Sequence, residues 1–75
     1  MKKKVLPFHL LSKGTIFTVS GDLHSSEKDT FVKVANSHSV NLQTKADAIF
    51  SRDNKCIVQG WMEYAERKEL SPYAE

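Results

Sequence analysis

Residues 30–44 read TFVKVANSHSVNLQT, and this stretch decides the fold. Thr30, Val32 and Val34 alternate with Phe31 and Lys33. Asn36, Ser37 and His38 follow as turn formers, and Val40, Leu42 and Thr44 then resume the alternation. Apolar period two on both sides of a short polar turn is the pattern of a β-hairpin. Val32, Val34, Val40 and Leu42 are thereby assigned to the core. The opposite face of the first strand is uneven, with Phe31 beside Lys33. The opposite face of the second carries only Ser39, Asn41 and Gln43, as on the solvated side of an antiparallel sheet.

Working outward, the preceding run Thr15–Val19 is β-branched and aromatic and reads as a strand with Phe17 and Val19 facing inward. Ser12, Lys13 and Gly14 before it form a turn signal. Residues 5–11, VLPFHLL, are apolar, but Pro7 bars them from a central strand. They are expected at an edge, with Phe8 and either Leu10 or Leu11 closing one end of the core. Residues 20–29, SGDLHSSEKD, make the longest polar loop. After the hairpin, AIFSR over 48–52 and KCIVQ over 55–59 read as a fourth and a fifth strand around an Asp53-Asn54 turn. Their apolar residues sit on both faces, which predicts cover on both sides. In WMEYAERKEL, residues 61–70, the period lengthens: Trp61, Tyr64, Ala65 and Lys68 fall at helical spacing, and Glu63 and Arg67 form an i,i+4 pair. The alternative is that the fifth strand runs on through Trp61. Ser71-Pro72 ends the helical pattern. The fold expected is mainly β: a small five-stranded antiparallel barrel or half-barrel, SH3-like or OB-like, with one short C-terminal helix. It is one domain over 1–75, with a basic tail at 1–4 and a tail at 71–75.

The size of the chain restricts its function. Seventy-five residues make a small core, with room for one small-molecule pocket or one partner face. The formal charge of +2 comes from the front of the chain, chiefly Lys2, Lys3 and Lys4, and is too mild to imply nucleic acid by itself. Cys56 is the single cysteine, so no internal disulfide forms. In its Cys-Ile-Val context it reads as a small buried hydrophobe. No apolar run approaches the ~20 residues needed to span a bilayer, and the Lys2 to Leu11 stretch lacks the length and cleavage site of a signal peptide. A cytoplasmic protein is expected.

The sequence offers little catalytic material. His9, His24 and His38 are spaced too widely for a zinc pattern, and Cys56 has no histidine near it. His24, Ser25, Ser26 and Asp22 crowd one loop without the framework of a nucleophilic triad. No glycine-rich phosphate cradle and no apolar pair of carboxylates is present. Neither an enzyme nor a cofactor is expected. Two features point instead to binding. Phe31 beside Lys33 on an outward face would stack a base and hold its phosphate, with Lys45, Arg52 and Lys55 extending that face. Trp61 with Tyr64 would anchor a protein partner, both residues being favoured at interfaces. For each pair packing is the more ordinary role: Phe31 beneath the loop or helix, Trp61 and Tyr64 as glue between helix and sheet.

The order LLSKGTIFTV, polar loop, TFVKV, SVNL, AIFSRDNKCIV over residues 10–58 resembles small β-rich accessory proteins encoded by bacteriophages and prophages. The resemblance implies a protein that binds and blocks a host enzyme or defence complex, and it assigns no functional residues. The leading expectation is therefore a non-enzymatic, inhibitory interaction protein engaged in host takeover or anti-defence. Its partner face would draw on Phe31, Lys33, Trp61, Tyr64, His24 and His38, with residues 22–28 at the rim. The alternatives are a nucleic-acid-binding small barrel, and sequestration of an anionic nucleotide by His24, His38, Ser25 and Lys33 around a pocket or homodimer seam.

Overall fold

Strand formation follows the apolar alternation, and the pairing order places each strand's two faces. The computed structural model describes residues 4–19 and 29–75. Its strands are β1 (Val5–Pro7), β2 (Thr15–Val19), β3 (Phe31–Lys33), β4 (Ser39–Asn41), β5 (Asp47–Ala48) and β6 (Lys55–Trp61), followed by the helix α1 (Tyr64–Leu70). All pair antiparallel in one sheet of order β1-β6-β2-β3-β4-β5. Pro7 sits at the end of an edge strand opposite Lys55, where its missing N–H costs no central ladder bond. The sheet does not close by strand pairing. The 3-10 turn after β1 continues the contact of that edge with the segment leading into β6, the Phe8 and His9 amides donating to the carbonyls of Asn54 and Arg52 at 2.8 and 3.0 Å.

The hairpin expected over 30–44 forms, with its register centred on Asn36. Val32 faces Val40, and the Val34 amide donates to the His38 carbonyl at 3.0 Å across a turn that exposes Asn36 and Ser37. Two other stretches differ from expectation. The strand predicted over 48–52 shrinks to the two residues of β5, and Ile49 is exposed while Phe50 turns into the core. The last strand runs on through Trp61, so the helix begins only at Tyr64. A bulge explains that length. Ile16 pairs with Gly60 and Phe17 with Val58, which leaves Gln59 as the extra residue and brings Trp61 opposite Thr15.

Both faces of the sheet are covered. On one, Phe8, Leu11, Phe17, Phe31 and Cys56 form a cluster with Leu6, Val19, Ala48, Phe50 and Val58. Its four phenylalanine rings pack at centroid separations of 5.0–5.8 Å. On the other, Val32, Val34 and Val40 are fully buried beneath Ile16, Leu42 and, from the C-terminal segment, Met62, Leu70 and Ala74. Residues 71–75 take part in this cover: Ser71 is buried, and the Glu75 amide donates to the Val34 carbonyl at 2.7 Å.

Cover on both faces corrects the reading of the central pair. Phe31 and Lys33 do not point to solvent but are buried to 8% and 3% exposure. Ser39 and Asn41, expected on a solvated face, are buried with them. Asn41 meets the cost of burial locally, its Oδ1 accepting from the Gln43 and Thr44 amides at 2.8 and 3.1 Å.

Candidate partner-binding site

The first candidate surface dissolves into the interior. Phe31 stacks on Phe17 within the aromatic cluster. The Lys33 ammonium donates to the carbonyls of Phe8 and Leu11 at 3.1 and 2.9 Å and stands 4.5 Å from the Phe8 ring centroid. This buried cation fastens the 3-10 turn to the centre of the sheet. Desolvation holds its pKa below the ordinary lysine value, helped slightly by Lys13 and opposed by Cys56. The Cys56 thiol is buried beside it, and burial pushes its pKa up to about 11, so it is a poor nucleophile at neutral pH. Of the basic residues once grouped with Lys33, Lys45 is turned onto the Leu42 carbonyl, and Arg52 and Lys55 stay exposed.

The two described histidines have separate surroundings. His24, with Ser25 and the rest of residues 22–28, lies outside the described residues. His38 is half-buried, and its ring stacks on Tyr73 with centroids 4.7 Å apart and planes 19° apart. His9 Nδ1 lies 2.8 Å from the Arg52 carbonyl. Among the described residues no group of three or more His, Cys, Asp or Glu comes together in a way that could hold a metal ion.

Trp61 and Tyr64 remain at the surface, 56% and 48% exposed. They belong to different elements, the end of β6 and the start of α1, and a residue absent from the expected site holds them together. Arg67 is only 6% exposed. Its guanidinium carbon lies 5.6 Å from the centroid of the Trp61 ring and 5.6 Å from that of Tyr64. Nη1 donates to the Met62 carbonyl, and Nη2 donates to the Glu75 carbonyl at 3.1 Å. The expected Glu63–Arg67 surface pair is thus replaced by a buried fork that binds two backbone segments and backs two exposed rings. Lys68 adds a second cation 6.0 Å from the Tyr64 centroid. Gly14 makes room for the arrangement. It has φ +103°, and a Cβ there would lie 2.5 Å from Arg67 Nη1, 2.8 Å from the Met62 carbonyl oxygen and 2.9 Å from Trp61 Cη2.

The sequence carried a signal for Arg67 that helical periodicity obscured. Trp61, Tyr64 and Arg67 recur every three residues, which brings two rings and a cation onto adjacent positions where a strand end meets a helix start. No protein-family model, curated protein or solved structure matches the chain.

Proposed function

We propose that this protein acts by binding, without chemistry of its own, and that Trp61 and Tyr64 are the anchors that seat it on the surface of another protein. The observation carrying this reading is the pair of exposed rings held over a buried, hydrogen-bonded guanidinium. Trp, Tyr and Arg are the residue types that dominate binding energy at interfaces. Rings already fixed by the fold also lose little side-chain freedom on docking. The phage-protein resemblance over 10–58 favours a host protein or defence complex in the cytoplasm as the target, with inhibition as the result.

The nucleic-acid alternative loses its main support, because Phe31 and Lys33 lie in the core. Nucleotide capture through Lys33 meets the same objection, since its ammonium is already bonded to two carbonyls. The test is affinity capture from bacterial lysate, with nuclease treatment, using the wild type alongside Trp61→Ala and Tyr64→Ala. Loss of an anchor worth about 2 kcal/mol or more weakens binding roughly 30-fold, enough to remove a captured protein from the variant lanes. Equal capture by wild type and both variants, or capture abolished by nuclease, refutes the proposal.

A further inference from the structure

We infer that the surface built on Trp61 and Tyr64 takes a carboxylate-bearing segment of its protein partner; this rests on the binding role proposed above and specifies its chemistry. Two independent features set the sign. The first is the order of groups. Trp61, Arg67, Tyr64 and Lys68 form a ladder in which ring and cation alternate at 5.6, 5.6 and 6.0 Å. A ring whose π face already meets a cation has its electron density drawn towards that cation. Its capacity to attract a second cation falls, and contact with an electron-rich group gains. Among the described residues no Asp or Glu side chain lies within ion-pair distance of Arg67 or Lys68, the ion pair there being Lys13 with Glu75 at 2.7 Å, while the Glu75 main-chain oxygen accepts from Arg67 Nη2 at 3.1 Å. The exposed Lys68 at the end of the ladder thus has no side-chain carboxylate of the fold paired with it.

The second feature is how α1 divides its charge. At about 100° per residue, Arg67 and Leu70 form the buried seam, and Tyr64 and Lys68 lie together on one flank of it. Glu66 and Glu69 lie about 140–160° from Tyr64, on the other flank. All four flanking residues are exposed. The aromatic side of the helix is thus its basic side, and it continues directly onto Trp61. Nucleic acid fits this surface less well than an acidic peptide. Tracking a phosphate backbone takes a row of cations, whereas Lys68 is the single exposed one in the ladder.

Trp61 is the chain's one tryptophan, so its emission reports directly on occupancy. The probes are a short peptide alternating Glu with Leu, the same peptide with Gln for Glu, the same with Lys for Glu, and a thymidine oligonucleotide. The acidic peptide is expected to change Trp61 emission saturably, to bind at least about five-fold more tightly than its Gln counterpart, and to weaken as salt rises from ~50 to ~200 mM. Lys68→Gln, an exposed change that removes the outer cation of the ladder, is expected to reduce that preference. Equal affinity for the Gln peptide, preference for the Lys peptide or the oligonucleotide, or no response to the acidic peptide each overturns the assignment. Capture from lysate that depends on Trp61 and Tyr64 but persists in high salt would leave the binding role standing and remove only the acidic partner.

Discussion

Replacing Gly14 by Ala tests how tightly the Trp61–Arg67–Tyr64 arrangement is built into the fold. Gly14 sits at φ +103°, where an L side chain costs about 1–3 kcal/mol. Its backbone cannot shift to relieve the strain. The amide donates to the Lys33 carbonyl at 2.7 Å and the carbonyl accepts from the Met62 amide at 2.8 Å, so Gly14 bridges the ends of β3 and β6. The new methyl also meets three atoms inside 3.0 Å, one of them the Met62 carbonyl oxygen that accepts from Arg67. Overpacking of this kind adds about 1–3 kcal/mol. The total, about 2–6 kcal/mol, compares with a whole-domain stability of about 4–11 kcal/mol at this length. The melting temperature should fall by at least about 10 °C, read by circular dichroism and by Trp61 fluorescence, which should report the same transition. Gly60→Ala is the matched control. It adds the same methyl where the nearest heavy atom is Ile16 Cδ1 at 3.9 Å and φ is unexceptional, so its effect should stay within about 1 kcal/mol. A Gly14→Ala melt within about 3 °C of wild type would refute the claim that this site is rigid.

Three further outcomes follow from the buried groups. Arg67→Lys keeps the charge but cannot reproduce the two-pronged contact to Met62 and Glu75, and should cost about 1–3 kcal/mol in urea denaturation; an unchanged midpoint would mean the fork contributes nothing. Lys33→Met should leave the Leu11 carbonyl without its donor and speed amide exchange around residues 8–11 more than in the β3–β4 hairpin; uniform exchange would contradict the pinning role. The third concerns pH. The lowered Lys33 pKa means the unfolded chain binds more protons between that pKa and 10.5, so this residue adds stability as pH rises through the window. The raised Cys56 pKa acts the other way, removing stability as pH climbs from 9.0 towards about 11. Cys56→Ala should therefore turn the alkaline limb of the stability curve upward relative to wild type, and parallel curves would refute this balance.

The architecture was legible wherever one residue pattern had one cause. Alternation gave the β2, β3 and β4 strands, and Pro7 placed β1 at an edge. Reading failed where a polar residue had a partner that the sequence does not reveal. Lys33 looks solvated until the 3-10 turn carries the Phe8 and Leu11 carbonyls over it. Asn41 looks solvated until its own turn folds back onto it. The second cover over the sheet comes from 8–11 and Phe50, segments whose apolar content was visible but whose docking face depends on tertiary curl. At the candidate site Trp61 and Tyr64 could be picked from residue type alone. Arg67 could not, because a helical surface pair with Glu63 is the simpler reading of its spacing, and because the contact with Gly14 spans most of the chain.

The strand order also has a consequence for synthesis. β1 finds its partner at the far end of the chain, with Val5 opposite Ile57, and β2 likewise joins β6 with Thr15 opposite Trp61. Chain growth at about 5–20 residues per second leaves the first two strands waiting for several seconds before their common neighbour emerges. The β3–β4 hairpin can form in that interval, since its partners lie close together. The sheet can be completed only when the last third of the sequence has left the ribosome, and slow nascent folding followed by abrupt closure is the expected behaviour.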